Sequence, residues 1–334
     1  PNGENEHYVQ ASVYAEQQEV MNVEGNYQEL DGGSIDATVL MTEFPVKLFN
    51  GFLSTDGTVG LDGRFAGEVH VDGPVSDFQL NGEILSDSLQ IFSLLYGVNL
   101  KVENKSLSIE NSKLKLNDLK MYSISETPLV VGGDLDLRDF SKIKLDMNFK
   151  AKDFEIINAR QTREAVVYGS VFTDLDATLK GTTDFLIMRG NLKILDKTNM
   201  TYVMKDSPLT VEDRLSGLVE FMDFTDTIKV QKDELMPLSG VFVGMNIEVD
   251  ESAKLHVSLS EDNNSYFNCR GGGSLSMRYF PNGEINLLGR FTMSEGEMKY
   301  ALPFIPLKTF HLEGDNNYIA FIGDPANPTL HITA

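Results

Sequence analysis

The sequence contains no tryptophan, one cysteine and five histidines, and these shortages exclude several kinds of function. A single cysteine, Cys269, can form neither an intramolecular disulfide nor a cysteine-based metal cluster. We expect it to be a buried, unreactive thiol in a turn at residues 268–270, because reactive thiols need electropositive surroundings. The absence of tryptophan removes a strong stacking surface for sugars and nucleic-acid bases.

Basic residues are also scarce, with 28 Lys and Arg against 50 Asp and Glu, which gives a net charge of −22. Such a surface repels nucleic acid and anionic membrane faces. No Lys/Arg cluster breaks this trend, so we expect no nucleic-acid partner. No apolar run approaches the roughly 20 residues of a membrane-spanning helix. The sequence contains no basic segment followed by an apolar core, which is the pattern that would predict a signal peptide.

Motifs that carry catalysis or bind metals are missing. No histidine lies within four residues of another, and there is no phosphate-binding Gly-Lys-Ser/Thr loop and no Gly-x-Ser-x-Gly turn. Asp134-x-Asp136 and Asp174-x-Asp176 place paired carboxylates on one strand face, which we interpret as a solvated acidic surface. The sequence therefore predicts no enzyme, no cofactor and no metal site.

What the sequence does have is a regular alternation of apolar and polar residues. From Ile143 to Ala151, apolar residues alternate without a break against Lys, Asp and Asn, and similar runs recur along most of the chain. Successive side chains of a strand point to opposite faces, so each run predicts a strand with one apolar and one polar face. Turn signals such as Asp72-Gly73-Pro74 and Asn81-Gly82 separate the runs. The pattern predicts a mostly antiparallel, all-β protein.

Two segments depart from this alternation. Residues 44–53 have apolar residues at helical spacing, with Pro45 in the first turn. Residues 210–223 begin with a capping-box pattern and continue with an amphipathic spacing. We expect one or two short helices here that cover a sheet edge or an open end.

The apolar faces of so many strands cannot remain in water, because large exposed apolar patches invite aggregation. Three arrangements would cover them. The strands could form sandwiches with closed cores, close into barrels, or curl into a trough that holds an apolar ligand.

Four segments together resemble the C-terminal part of the TamB family, the AsmA-like translocation and assembly module proteins of the Gram-negative envelope. They are Gly63–Ile84, Gly132–Ala159, Tyr168–Met204 and the ending Ile322–Ala334. The most specific feature of the resemblance is that the segment Tyr168–Met204 is followed, in that order, by the ending Asn327–Ala334. The resemblance covers most of the chain and is strongest over residues 166–334.

This resemblance implies a β-taco, which is an elongated sheet curled into an open trough with an aliphatic interior. It also implies a periplasmic protein of a Gram-negative bacterium that is anchored in the inner membrane and supports phospholipid transport and outer-membrane protein assembly. The implied partners are phospholipid acyl chains and a BamA-like or TamA-like outer-membrane barrel. The chain begins at Pro1 and ends at Ala334 after a strand-like run, so we expect one continuous fragment, residues 1–334, without the anchor and the final strands.

The candidate residues for the wall of the trough are apolar and belong to the clearest alternating runs. They are Ile143, Leu145, Met147, Phe149, Leu175, Leu179, Leu192, Ile194, Leu255, Val257, Leu259, Leu275 and Met277. Each of them could equally pack in a closed core.

Three functions remain open at this point. The chain could be a conduit that carries phospholipid between the two membranes, or a scaffold that offers sheet edges to outer-membrane proteins by β-augmentation. A third possibility is a polysaccharide-active or adhesive β-protein, against which the missing tryptophan and the scattered carboxylates argue.

Overall fold

The described residues of the computed structural model form 21 strands of one sheet. They are residues 6–29, 32–50, 59–162, 165–204, 240–259, 264–300 and 308–334. Strand pairing among the described residues is mostly antiparallel, with one parallel pair between residues 199–203 and 254–258, which confirms the predicted all-β fold. By contacts the chain divides into two compact units. Unit 1 comprises Pro1–Ser93, Val98–Phe154 and Leu175–Gly190, and unit 2 comprises Leu94–Gly97, Glu155–Asp174 and Asn191–Ala334.

Ten strands lie wholly in unit 1. They are β1 (Glu6–Ala15), β2 (Gln18–Gln28), β3 (Ser34–Pro45), β4 (Gly60–Pro74), β5 (Gln79–Ser93), β6 (Val98–Val102), β7 (Ser106–Glu110), β8 (Lys113–Lys115), β9 (Leu119–Tyr122) and β10 (Leu129–Asp136).

Three strands contribute residues to both units, and the remaining eight belong to unit 2. The shared strands are β11 (Lys144–Ala159), β12 (Val167–Thr182) and β13 (Phe185–Ile194). Those of unit 2 are β14 (Asn199–Val203), β15 (Val241–Val249), β16 (Lys254–Ser258), β17 (Tyr266–Tyr279), β18 (Ile285–Tyr300), β19 (Lys308–His311), β20 (Asn317–Gly323) and β21 (Thr329–His331).

Cross-strand pairing in unit 1 places small and apolar residues in one continuous row. Partners follow one another across nine strands in the order Ala11, Val23, Val39, Val69, Gly82, Ile109, Leu114, Leu135 and Leu145. Since side chains alternate along a strand, this row defines one side of the sheet, the apolar face of unit 1. The polar face is the opposite side, where the Lys115 and Lys180 ammonium groups lie 3.3 and 3.0 Å from the carboxylates of Asp134 and Asp146.

Unit 2 repeats this arrangement on its own strands. One row pairs Val249, Gly273, Phe291, Ile319 and Leu330, and the next pairs Ile247, Leu275, Gly289 and Phe321. These rows define the apolar face of unit 2. Gly289 has φ +131°, and a Cβ there would lie 2.2 Å from the Ser274 carbonyl oxygen. Only glycine permits such a close approach of the two strands.

Each apolar face contains a small set of buried side chains that pack together. In unit 1 the buried residues Val69, Leu80 and Ile109 form core cluster 1. In unit 2 Cys269, Phe291 and Met293 form core cluster 2. Cys269 lies within β17 between the paired residues Leu255 and Gly296, so the predicted turn at this position is wrong, although the thiol is buried as expected. Pairing on both sides holds residues 268–270 extended.

The first predicted helix is present as one short turn. A 3₁₀ helix spans Val46–Phe49, with Val46 buried and the rings of Phe44 and Phe49 5.9 Å apart. Phe44 and Pro45 are not helical but end strand β3, because they pair with Phe65 and Arg64 of β4. The second predicted helix, residues 210–223, lies outside the described residues, as do residues 52 and 53.

Candidate functional site

Three wall candidates lie side by side on strand β11. Leu145, Met147 and Phe149 are half-buried and alternate with exposed Lys and Asp side chains. Their partners on β10 are Leu135, Gly133 and Val131, so all three lie on the apolar face of unit 1. Gly133 has φ +107°, and a Cβ there would lie 2.0 Å from the Asp146 carbonyl oxygen, which only glycine avoids.

The other candidates of unit 1 flank this strand. Ile143 precedes β11, and its carbonyl accepts the Thr183 N–H at 3.0 Å. The Lys180 ammonium lies 3.0 Å from the Asp146 carboxylate, so these two residues share the polar face. Leu179 and Leu175 therefore lie on the apolar side of β12.

In unit 2 an ion pair shows on which face of the sheet the candidates of strand β13 lie. The Lys193 ammonium lies 3.0 Å from the Glu248 carboxylate, which places both on the polar side. Leu192 and Ile194 alternate with Lys193 and therefore lie on the apolar face of unit 2. This interaction also raises the pKa of the Lys193 ammonium.

The remaining five candidates belong to the central strands of unit 2 or follow them directly. Leu255 and Val257 pair with Cys269 and Phe267, and Leu255 packs against core cluster 2. Leu259, directly after β16, donates its N–H to the Ser265 carbonyl at 2.8 Å.

Leu275 and Met277 lie further along β17. They pair with Ile247 and Met245 of β15 on one side, and with Gly289 and Leu287 of β18 on the other. Both therefore lie among small and apolar residues of the same face.

Burial distinguishes these candidates from the core clusters. All thirteen are half-buried: none is among the fully buried residues of the core, and none is exposed. We call these thirteen residues the wall. In contrast, Ile109 is 3% exposed and Met293 is 1% exposed. Eleven of the wall residues lie on the apolar face of their own unit, while Ile143 and Leu259 lie directly outside strands β11 and β16.

Sequence reasoning missed other residues of the same faces. Val23, Val39, Leu114 and Leu135 continue the row of unit 1, and Phe321 continues that of unit 2. The signal that could have found them is their alternation with polar neighbours, interrupted by glycines that oppose large side chains.

The titratable groups near the apolar faces indicate structural roles. Hydrogen bonds from Arg138 lower the pKa of Asp136 to about 2, against the opposing effect of burial. Burial raises the pKa of the Cys269 thiol to about 12, so this thiol is unreactive at neutral pH. Asp134, which forms the first acid pair with Asp136, accepts a hydrogen bond from the Lys115 ammonium.

Over the described ranges, no three His, Cys, Asp or Glu side chains converge as metal ligands. In the same part of the chain, no helix combines the length and hydropathy needed to cross a bilayer.

Comparison with known proteins gives one match. The family model of the TamB C-terminal domain matches residues 122–334, which is more than half of the chain. No curated protein and no solved structure matches. The matched range contains all thirteen wall residues. On this match the chain belongs to the TamB family.

Proposed function

We propose that the wall holds phospholipid acyl chains and that the chain is a bridge-like conduit for phospholipid between the inner and outer membranes. Membership of the TamB family supports a role in outer-membrane biogenesis. In this proposal the chain lies in the periplasm and is anchored in the inner membrane. A BamA-like or TamA-like barrel protein is its proposed outer-membrane partner.

The observation that carries the proposal is the half-burial of the whole wall. A closed core would remove Leu145, Phe149 and Leu275 from solvent, as it does Ile109 and Met293. A contiguous row of half-buried apolar side chains is typical of a surface that binds a ligand, a membrane or another protein. Half-buried side chains still have apolar area that a ligand can cover.

The energetics suit a mobile lipid. Covering apolar area contributes about 25 cal/mol per Å², so an acyl chain gains free energy along every strand that it crosses. Neighbouring positions on β11 offer apolar side chains and no charged group on the apolar face, as at Leu145, Met147 and Phe149. A uniform wall binds acyl chains without a preferred stopping point, and the head group stays in water at the mouth.

Photocrosslinking tests this assignment with controls built into the strands. A photoreactive residue at Leu145 or Ile194 faces the proposed lipid, whereas one at the adjacent Lys144 or Lys193 faces the polar side. We expect phospholipid adducts by mass spectrometry from the first pair, and phospholipid in solvent extracts of the purified protein. Equal labelling from both faces, or extracts without lipid, would contradict the conduit.

A second function is favoured by a different feature, the edge strand β1. Among the described strands it pairs only with β2, along its full length of ten residues. It lacks Lys and Pro, which commonly protect an edge, and Tyr8 and Tyr14 are exposed. Such an edge could accept a strand of an outer-membrane protein by β-augmentation.

The two functions predict crosslinks to different molecules. A scaffold gives polypeptide adducts from photoreactive residues at Tyr8 or Gln10, whereas a conduit gives lipid adducts from Leu145. Replacing Gln10 with proline puts into β1 a residue that blocks strand addition and should abolish the polypeptide adducts alone. If Gln10→Pro leaves them unchanged, the edge is not the docking site.

A further inference from the structure

The polar face of unit 2 contains a cleft of about 340 Å³ on four neighbouring strands. This volume lies in the range of small-molecule sites. The polar residues that line it are Asn199 of β14, Lys254 and His256 of β16, Asn268 and Arg270 of β17, and Glu295 and Glu297 of β18. Leu255, Cys269 and Gly296 also line the cleft, and the polar side chains alternate with them along the strands, so they lie on the polar face.

Strand register separates the charges of this cleft by sign. Lys254 pairs with Arg270, and Arg270 pairs with Glu295. In the next row, Asn268 pairs with Glu297. The two cations therefore lie on adjacent strands, β16 and β17, and both carboxylates lie on β18.

On the cationic side of the cleft, N–H donors remain that can bind a ligand. Arg270 Nη1 lies 3.5 Å from Glu295 Oε1, while the buried Nε of Arg270 has no acceptor among the described residues. Lys254 is exposed and makes no ion pair within that same part of the chain. A buried donor without an acceptor costs free energy, which an anionic ligand oxygen would recover.

The acidic side is held differently. The Tyr266 hydroxyl donates to Glu297 at 2.7 Å, and His311 Nδ1 lies 3.7 Å from the other carboxylate oxygen. Glu295 keeps 69% of its side chain exposed and can still turn towards a ligand cation.

These four charged groups sum to zero formal charge in a chain whose net charge is −22. A simple anion would meet two carboxylates, and a simple cation would meet an ammonium and a guanidinium. A ligand that carries both charges complements both sides of the cleft.

We propose that this cleft binds a phosphate joined by a short spacer to an ammonium group, as in phosphoethanolamine. The phosphate contacts Lys254 and Arg270, and the ammonium contacts Glu295 and Glu297. A free solute and a phospholipid head group both carry this chemistry. The proposal goes beyond the conduit and does not depend on it, because no wall side chain contributes to the charged sides.

Calorimetric titration of the full chain tests the charge pattern. We expect phosphoethanolamine to bind about tenfold or more tightly than inorganic phosphate or ethanolamine. Lys254→Gln and Glu295→Gln should each weaken it by about tenfold, while the control Lys180→Gln on the polar face of unit 1 leaves it unchanged. Both replaced residues are exposed, and melting temperatures check that the variants fold.

Two further ligands distinguish the sources. Binding of glycerophosphoethanolamine, and co-sedimentation with phosphatidylethanolamine vesicles but not with phosphatidylglycerol vesicles, identifies a lipid head group. Binding of phosphoethanolamine alone identifies a solute. The proposal is overturned if phosphate binds as tightly as phosphoethanolamine, if Lys254→Gln and Glu295→Gln bind like the parent, or if no ligand binds.

Discussion

Two regions on the apolar face of unit 1 differ in burial although they share one strand pattern. Core cluster 1 is closed, and Phe78 and Leu137, which lie outside the strands, pack against it. The wall residues on β11 alternate in the same way but stay half-buried. Alternation therefore decides which way a side chain faces, and segments beyond the strands help decide whether that face becomes a core.

The same contrast recurs in unit 2, between core cluster 2 and the wall residues Leu275 and Met277. In each unit the clusters stabilise the fold, and the wall keeps apolar area that a ligand can cover. If this division of roles is real, changes in a cluster and changes in the wall must have separable effects on stability and on lipid binding.

A buried charge should break the comparison most strongly. Val69→Glu puts a carboxylate into core cluster 1, where Val69 is 6% exposed, and should cost more than about 4 kcal/mol in the free energy of unfolding. Leu145→Glu and Ile194→Asp place the charge where water can reach it. They should cost roughly 1 kcal/mol and abolish lipid binding.

Urea unfolding and lipid extraction, measured on the same preparations, check this prediction. If Leu145→Glu unfolds the protein as Val69→Glu does, the wall is a closed core and the conduit fails.

Truncation to alanine should give a smaller version of the same difference. Ile109→Ala leaves a cavity in core cluster 1 and should cost about 2–5 kcal/mol. Leu145→Ala should cost roughly 1 kcal/mol, because its surroundings already contact solvent. Denaturant midpoints at unchanged slope measure both values. Equal losses would mean that the half-buried wall packs as tightly as the cluster.

Much of this architecture can be predicted from the sequence, since alternation assigned the face of residues such as Leu145 and Leu275. It could not separate Val69 in a core cluster from Leu145 in the wall, because both alternate with a polar neighbour. The difference depends on contacts such as that of Leu137, which is distant in sequence from all three residues of core cluster 1.

Local motifs were less reliable where strand pairing overrode them. The helical spacing at Phe44 yielded to pairing with Phe65, and the Asn-Cys-Arg segment at Cys269 became the interior of a strand. The cleft on unit 2 was not predicted, since Lys254, Arg270 and Glu295 meet only through the register of three strands.

Ion pairs on the polar face should contribute less to the free energy of unfolding than either region of the apolar face. Arg138 lowers the pKa of Asp136 from 3.8 to about 2, so the folded state favours the charged carboxylate. This contribution is present above pH 3.8 and is lost as the pH falls through about 2. It should amount to less than about 1 kcal/mol, because the Arg138 side chain is 57% exposed and water screens the pair.

Unfolding at pH 5, 3 and 2 for the parent and for Arg138→Gln measures this contribution. The variant should lose less stability on acidification, with Lys180→Gln as a polar-face control. An identical pH dependence in the parent and Arg138→Gln would show that the pair contributes nothing.

The reactivity of thiols should distinguish core cluster 2 from the wall in unit 2 by a measurement that does not depend on unfolding. Cys269 belongs to core cluster 2, and burial raises its pKa to about 12, so alkylation of the folded protein at pH 8 should be very slow. In a Cys269→Ala background, Met277→Cys puts a thiol into the half-buried wall, where it should react at least about tenfold faster. Added phospholipid should slow the reaction of the Met277→Cys thiol and leave Cys269 unaffected. Mass spectrometry of the alkylated protein over time measures both rates. If lipid protects neither thiol, the half-burial of the wall reflects loose packing and not a surface that acyl chains cover.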